Sequence, residues 1–592
     1  GVALSHDESR LYVLASASGT LTTLSADNLE VMHELEGFHR PIAIAVNHHG
    51  FIAITQAKGD IATILLDGEQ LPMESTLKNS PMRLSSPYFY LTQHNGDENR
   101  SNRGRSVVPH PHTGEFLVVH EQVRPGNEEN SREAAFSEFL NRTMEKSGDF
   151  PEDHAEESGY GAGIGFNGDP FSFLIRPMEM SVTSVAPRIS TPLDSDDEAD
   201  KDREPPDTIV SYRSGHTLRA PVKDPEGDEP LVWAISQPTD INHHPTWSLA
   251  FVAGFGSDRI LVLNTAAPDP MAAPVALIHV GFAPKALTFS EDGNTLHVLN
   301  AHSYSISHVD IQPLFNLEEA SYEATGNGAM DELEGVDWLA VKPIHIHAER
   351  ESVFASDPLP PMVSKGRRLY TYARDPKVSH AGQFACNSCH FEGGEDGVVW
   401  FTAEGPRQTP SLAAKLDNTA PFNWGGSKSD LLGNMTQTIE RMGGDGLEQD
   451  EQEALEAFLL LGLQSPENPN LVGGHLNAQQ LRGKDIFNDP LVGCNGCHPA
   501  PTFTDGQNHA VGTATSLEMD LQLAFPQDSG NSGEPRYNTP SLKNLWMTAP
   551  YLHDGSAQTL SDVLERTLDT MGNIRGLTQD EKYDLIAYLL TL

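Results

Sequence analysis

All four cysteines of the 592-residue chain fall in two short motifs of the form C-x-x-C-H. The motifs are Cys386-Asn387-Ser388-Cys389-His390 and Cys494-Asn495-Gly496-Cys497-His498. In such a motif the two thiols add to the vinyl groups of a haem, and the adjacent histidine reaches the iron as proximal ligand. A thioredoxin-type pair or a four-cysteine zinc site would leave the histidine after each pair unexplained. The sequence therefore predicts two haem c groups, attached through Cys386, Cys389, Cys494 and Cys497 and coordinated by His390 and His498.

Covalent haem attachment takes place in exported compartments, so the motifs also predict a periplasmic or extracellular location. No apolar run approaches the roughly 18 to 20 residues that span a bilayer, and the chain is expected not to span a membrane. It opens with Gly1-Val2-Ala3 directly in a strand-like pattern, which indicates a mature or truncated product.

The net charge of the chain limits the kinds of macromolecule that it can bind. The chain has 83 acidic and 39 basic residues and a formal net charge of −44. Phosphates would be repelled, so nucleic acid is excluded as a partner and a basic redox protein is favoured. The alternative is that the acidic surface only maintains solubility.

The sequence after the first motif is repeated after the second. Residues 419–427, TAPFNWGGS, align with residues 548–556, TAPYLHDGS, and the alignment continues without a gap to Met442 and Met571. Short helices are predicted before each motif, at residues 365–370 and 481–487, and amphipathic helices are predicted at the end of each copy. Thr578 and Glu581 have the spacing of a capping box at the start of the last helix.

This layout resembles the class I cytochrome c fold, in which a methionine shortly before the last helix supplies the sixth iron ligand. Met442 and Met571 occupy that place in the two copies. Met435 is a rival in the first copy, but its counterpart is Leu564. His553, the counterpart of Trp424, is a candidate catalytic residue beside a haem, and the alternative is an ordinary packed turn histidine.

From about residue 356 to residue 592 the chain resembles the di-haem cytochrome c peroxidase and MauG-like superfamily. The resemblance rests on the two motifs, Thr504-Asp505-Gly506, residues 538–542 (NTPSL) and residues 549–556 (APYLHDGS). It implies two haem domains, one accepting electrons and passing them to the other, where peroxide is reduced. The chain departs from that pattern because the segment between its motifs is short and each copy offers its own methionine. Two six-coordinate irons would suit electron transfer, whereas an open iron would permit peroxide chemistry.

The N-terminal half changes to short alternating strands with turn signals. A strand, a tight turn and a second strand recur at residues 3–14, 43–54, 107–119, 241–252 and 287–299. This recurrence is typical of β-propeller blades, and residues 253–263 resemble the YVTN-type propeller family. The predicted fold class is thus multidomain β plus α, with a β-propeller followed by two cytochrome c-like domains. The expected boundaries are a propeller at 1–318 with a polar insertion at about 122–238, a linker at 319–355, and cytochrome domains at 356–465 and 466–592.

Two further groups of polar residues are weaker metal candidates. The acidic run at residues 194–202 lacks the glycine of a calcium loop, so a solvated insertion is favoured and calcium remains an unsupported cofactor. His345 and His347 share one strand face and either bind a metal or mark a domain junction.

Three functions are consistent with these patterns. The first is an exported di-haem cytochrome that transfers electrons, with the propeller as a docking platform for a partner. The second is a di-haem peroxidase or MauG-like oxidase that reduces hydrogen peroxide. The third is a structural subunit of a haem-conducting assembly, with the propeller mediating oligomer contacts.

Overall fold

The computed structural model describes residues 1–16, 18–38, 40–56, 62–66, 82–84, 101–123, 132, 135, 178–186, 211–213, 235–266, 274–315, 344–379, 385–524 and 533–592. Sheets occupy the part before residue 354, and helices dominate after residue 360. The expected division into a β-rich N-terminal region and C-terminal helices is confirmed. The acidic run at 194–202 lies outside the described residues.

Five sheets follow one another in the β-rich region, and in each of them four strands form an antiparallel meander. The strands of the first two sheets are β1 Val2–Leu4, β2 Arg10–Ala15, β3 Thr20–Ser25, β4 Val31–Glu36, β5 Pro41–Val46, β6 Phe51–Gln56, β7 Ala62–Leu66 and β8 Met82–Leu84. The third sheet contains β9 Ser101–Pro109, β10 Phe116–Val123, β11 Met178–Ala186 and β12 Ser211–Arg213. The last two sheets contain β13 Pro238–His243, β14 Leu249–Gly254, β15 Arg259–Asn264, β16 Pro274–His279, β17 Pro284–Phe289, β18 Thr295–Asn300 and β19 Ser305–Asp310.

Each of the five sequence repeats forms the first hairpin of one sheet. The turns of the first and last hairpins are built alike because their sequences are alike. Ser5 Oγ donates to Asp7 Oδ1 at 2.6 Å, and Ser290 Oγ donates to Asp292 Oδ1 at 2.6 Å. These hydroxyl hydrogen bonds lower the pKa of both aspartates to about 2. A short polar signature therefore fixes the same turn at two distant places.

The first strands of the sheets lie side by side, with β1 beside β5, β5 beside β9, β9 beside β13 and β13 beside β17. Among the described strands no closed ring of sheets is found. Apolar side chains of the last two sheets form one core cluster, including Phe251, Val262 and Leu296.

The segment expected to be a linker, 319–355, contains two strands of these sheets. Strand β20, Ile344–His347, pairs in parallel with β16, and β21, Arg350–Val353, pairs antiparallel with β19. The chain thus returns to complete the last two sheets before the helical part begins.

Among the described residues the helical part contains nine α-helices and two pairs of short strands. The helices are α1 Pro361–Thr371, α2 Cys386–Cys389, α3 Leu431–Arg441, α4 Gln449–Leu461, α5 Ala478–Asn488, α6 Cys494–Cys497, α7 Ser516–Ala524, α8 Leu560–Arg566 and α9 Gln579–Leu589. The strands are β22 Val399–Thr402, β23 Gly405–Gln408, β24 Asn508–His509 and β25 Tyr537–Asn538. None of these helices is both long and apolar enough to cross a bilayer.

The duplication is visible as two matched helix pairs. Helix α1 packs on α4, and α5 packs on α9. At each crossing a glycine allows close approach: a Cβ added at Gly366 would lie 1.9 Å from the carbonyl oxygen of Ala454, and one added at Gly483 would lie 1.9 Å from that of Asp584. The capping box of α9 is also present, because Glu581 N donates to Thr578 Oγ1 and Thr578 N donates to Glu581 Oε2.

Candidate functional site

One cavity of about 1350 Å³ extends across both copies of the helical module. Its walls include the thiols of both motifs and every candidate ligand from the sequence. These residues are Cys386, Cys389, His390, Met435, Met442, Cys494, Cys497, His498, His553 and Met571. The structure therefore brings the two motifs, which are far apart in sequence, to a single space.

The first motif forms helix α2 and is held from both sides. Ala385 N donates to Ser388 Oγ at 3.1 Å, and the hydroxyl of Tyr370 in α1 donates to the carbonyl oxygen of His390. Burial lowers the pKa of His390 to about 4, against the effect of the Gly394 and Pro410 backbone groups. The imidazole is therefore neutral, which is the form that coordinates a metal.

The second motif forms helix α6 and orients its histidine through the backbone. His498 Nδ1 lies 2.9 Å from the carbonyl oxygen of Phe503. A hydrogen bond at Nδ1 leaves Nε2 available for coordination and fixes the ring orientation. Burial lowers the pKa of His498 as well.

The three methionines differ in their positions on the cavity wall. Met442 ends α3 and is buried, while Met571 follows α8 and is partly buried. Met435, inside α3, is also buried and also lines the cavity. Met442 and Met571 reach the same cavity as the histidines, and their ligation of iron stays a prediction.

The donor set fits two covalently bound haems. Each motif supplies two thiols and a histidine, and burial raises the pKa of both Cys386 and Cys494 to about 11 because apolar surroundings disfavour a thiolate. The surroundings of these thiols are thus apolar, as a porphyrin requires.

His553 belongs to a buried polar cluster that sequence reasoning did not find. Its Nε2 lies 3.0 Å from Glu518 Oε2, and the hydroxyl of Tyr537 donates to Glu518 Oε1 at 2.9 Å. Arg407 forms an ion pair with the same carboxylate. Burial alone would raise the pKa of Glu518, but the hydrogen bond from His553 and the charge of Arg407 outweigh it and lower the pKa to about 2. The cavity wall thus holds a carboxylate that is ionised at neutral pH.

Apart from His553 itself, the sequence signal for this cluster is that Pro406-Arg407 in the first copy recurs as Pro535-Arg536, directly before Tyr537, in the second. Glu518 lies in α7, in a segment of the second copy that has no counterpart in the first. Nothing in the repeat pattern pointed to it.

Aromatic rings connect the two copies. The ring of Trp424 meets His553 edge to face at 6.3 Å, and His553 stacks on Tyr537 at 3.9 Å. Trp424 Nε1 donates to the carbonyl oxygen of Gln408 at 2.7 Å, and Asn538 N donates to that of Trp424 at 2.8 Å. The counterparts Trp424 and His553 therefore meet between the copies.

The histidines of β20 lie far from this cavity. His345 Nδ1 is 2.8 Å from Nε2 of His279 in β16, and His347 stacks on His279 with ring centroids 4.6 Å apart. They sit where β20 joins the fourth sheet, next to the start of the helical part. Metal binding by this pair stays a prediction.

Comparison with known proteins assigns the helical part to a set of relatives. A family model described as "RoxA-like, cytochrome c-like" matches residues 536–568. The hydrazine synthase subunit gamma of Kuenenia stuttgartiensis is 28% identical over 300 residues, which cover 43% of this chain and 82% of that protein. The cytochrome c551 peroxidase of Nitrosomonas europaea is 28% identical over 275 residues, covering 39% of this chain and 79% of the peroxidase.

The methylamine utilization protein MauG of Methylorubrum extorquens is 25% identical over 288 residues, covering 40% of this chain and 80% of MauG. The homologues are thus di-haem cytochrome c peroxidase and MauG proteins, as the sequence motifs indicated. They support a c-type cytochrome with covalently bound haem and a peroxidase-like redox role.

Proposed function

We propose that the chain is an exported di-haem c-type cytochrome that passes electrons between its two haems. The observation that carries this proposal is the single cavity lined by both C-x-x-C-H motifs, Met442 and Met571. His390 and Met442 would hold one iron, and His498 and Met571 the other. Bound in this way, the haems supply one-electron chemistry with little rearrangement of the ligands.

Several residues of the chain would shield and orient the haems once they are bound. The hydrogen bond from His498 Nδ1 to the Phe503 carbonyl fixes one proximal ring. Trp424, His553 and Tyr537 fill the space between the two copies with conjugated rings. Glu518 and Arg407 contribute an ion pair to the wall of the cavity.

The domain assignment extends this proposal. Residues 356–465 and 466–592 would be class I cytochrome c-like domains, which the matched helix pairs support. Residues 1–318, together with β20 and β21, would be a β-propeller platform for a redox partner, which five successive sheets support. The net charge of −44 favours a basic partner, and a periplasmic or extracellular location follows from covalent haem.

Methionine substitutions test the ligation. Met442→Ala and Met571→Ala should each convert one haem from low spin to high spin, while Met435→Ala should leave both low spin. Absorption and electron paramagnetic resonance spectra of the oxidised protein report these states. A resting protein in which one haem is already five-coordinate would overturn the electron-transfer proposal.

A second candidate function is peroxide reduction, which the peroxidase and MauG relatives favour. The observation in its support is the His553–Glu518 pair on the cavity wall, since a positioned acid or base assists O–O cleavage. Peroxide-dependent oxidation of a reduced donor should then be lost in His553→Ala with both haems retained. His475→Ala, at an exposed turn, is the matched control. Absence of turnover after reductive activation of the unchanged protein would remove this candidate.

A further inference from the structure

The two haem motifs differ in what covers them. In the first motif the two residues between the cysteines are buried: Asn387 is 4% exposed and Ser388 is 0% exposed. In the second motif the equivalent Asn495 and Gly496 are exposed. The covering layer on the first motif comes from the β-rich region, so the difference does not follow from the duplicated module.

Gln237, immediately before β13, makes the central contacts of this layer. Its Oε1 accepts from Asn387 Nδ2 at 2.5 Å, and its Nε2 donates to Ser388 Oγ at 3.1 Å. The same Nε2 donates to the carbonyl oxygen of Thr371 at the end of α1, at 3.0 Å. This one buried amide thus makes hydrogen bonds to both residues between the cysteines and to the last residue of the helix that precedes the motif.

The backbone around Gln237 is shaped for this contact. Gln237 has a φ of +53°, in the left-handed region that costs a residue with a side chain about 1 kcal/mol or more. A Cβ added at Gly256 would lie 2.6 Å from Gln237 Nε2, so the glycine leaves room for the amide. The carbonyl oxygen of Gly256 in turn accepts from Ala373 N at 2.8 Å. Two segments of the fourth sheet therefore contact the first module directly, one of them through a backbone hydrogen bond.

Charged side chains make further contacts between the β-rich region and the first module. The guanidinium of Arg105 lies 5.1 Å from the ring centre of Phe391, the residue after His390. Arg40 Nη1 donates to the carbonyl oxygen of Glu395 at 3.2 Å, and Arg368 in α1 pairs with Asp258. The segment that follows His390 therefore contacts the β-rich region at both of its ends, at Phe391 and at Glu395.

The geometry points to Gln237 as a positioning residue for the first haem: through Asn387 and Ser388 it seals the first motif from water and separates the reduction potential of that haem from the potential of the second. The physical reason is that water stabilises the more positive oxidised state, so exclusion of water raises the reduction potential. This inference goes beyond the proposed function, on which it rests only for the attachment of haem at Cys386 and Cys389. It gives the β-rich region a role that requires no docking partner.

A redox titration of the full-length, haem-loaded protein tests the inference. Gln237→Ala and Asn387→Ala should each lower the same one of the two midpoint potentials and leave the other in place. The expected change is about a tenfold lower ratio of reduced to oxidised haem at fixed potential, which corresponds to about 59 mV for a one-electron couple. Asn495→Ala, the matched change in the exposed second motif, should move neither potential.

Amide hydrogen exchange gives a second readout in the same proteins. Residues 385–395 should exchange at least about tenfold faster in Gln237→Ala, and residues 493–503 should be unchanged. Gln237→Asn is a milder variant if Gln237→Ala folds poorly, because its shorter side chain cannot bring the amide to both Asn387 and Ser388. The double variant Gln237→Ala/Asn387→Ala should add little to either single change, because both remove the same contact.

The outcomes distinguish a failure of the role inferred for Gln237 from a failure of the proposed di-haem function. Unchanged potentials and exchange in protein that carries two haems would overturn the role of Gln237, and so would an equal shift of both potentials. A haem content of one or none in the unchanged protein would instead overturn the proposed function.

Discussion

His553 Nε2 lies 3.0 Å from Glu518 Oε2, and both side chains are at most 2% exposed. Glu518 is in the non-duplicated helix α7, whereas His553 is in the duplicated turn that also holds Trp424 in the first copy. The second copy has therefore acquired a charged partner that the first copy lacks. A buried carboxylate of this kind is maintained by its partners, and removing one of them is costly.

Neutralising Glu518 tests that dependence. Glu518→Gln keeps the size of the side chain but removes the ion pair between the buried carboxylate and the partly buried Arg407. We expect the free energy of unfolding to fall by about 3 kcal/mol, measured by urea unfolding of the haem-loaded protein. Asp520→Asn on the same helix breaks only an exposed pair with Arg132 and should cost less than about 1 kcal/mol. Equal effects of the two changes would contradict this account of the cluster.

The pH dependence of the Glu518 contribution follows from the lowered pKa. The folded-state pKa is about 2 and the ordinary value is 4.5, so the unfolded chain binds more protons between these values. Stability from this group is fully present above about pH 5 and is lost as the pH falls toward about 2. The difference in thermal midpoint between the unchanged protein and Glu518→Gln should shrink over that window. A difference that stays constant with pH would contradict the lowered pKa.

The pKa of Asp240, in the β-rich region, shifts in the opposite direction to that of Glu518. It lies in β13 and accepts from Ser106 Oγ of β9 at 3.1 Å and from Leu287 N of β17 at 2.9 Å, so it joins three neighbouring sheets. Burial raises its pKa from 3.8 to about 6, despite the hydrogen bonds that act the other way. The folded protein therefore binds more protons than the unfolded chain between these values, and stability from Asp240 is lost as the pH rises through about 6.

Asp240→Asn should remove the free-energy cost of ionising a buried carboxyl group at neutral pH. It should keep both hydrogen bonds, because an amide can accept from Leu287 N and donate to Ser106 Oγ. We expect a gain of about 2 kcal/mol near neutral pH that disappears below about pH 4. Urea unfolding at several pH values measures it. Asp292→Asn, at an exposed turn with a lowered pKa, is the control and should not stabilise the protein at any pH.

The glycines at the helix crossings give a prediction about packing. Gly366→Ala and Gly483→Ala should each destabilise the protein by about 1–3 kcal/mol, because a Cβ at either position would overlap a carbonyl oxygen of the facing helix. Gly576→Ala is the control, since its nearest neighbouring atom is 4.0 Å away. Unfolding midpoints of haem-loaded variants would show the difference. A tolerated alanine at both crossings would mean that the helices do not approach as closely as described.

The sequence predicted most strongly where the information was local or repeated. The motifs contain every cysteine, and the duplication indicated the helices before and after each motif and the matching turns at Trp424 and His553. The five hairpins were visible because each combines alternation with a turn signature only a few residues long. Pairings over long sequence distances were not visible, and β20 and β21 were therefore assigned to a linker although they join the last two sheets.

Contacts between segments that share no pattern were also missed. Glu518 lies outside the duplication, and Gln237 reaches Asn387 across 150 positions of sequence. Only the fold, which brings their partners near them, shows what they do.

The central claim is that both irons carry a histidine and a methionine. An absorption spectrum of the oxidised, haem-loaded protein tests it most directly, because the weak sulfur-to-iron band at the red end scales with the number of methionine-ligated irons. The expected spectrum has the band intensity of two such irons per chain and no high-spin component. A band corresponding to one iron, together with a high-spin haem, would contradict the claim and favour peroxide chemistry at the open iron.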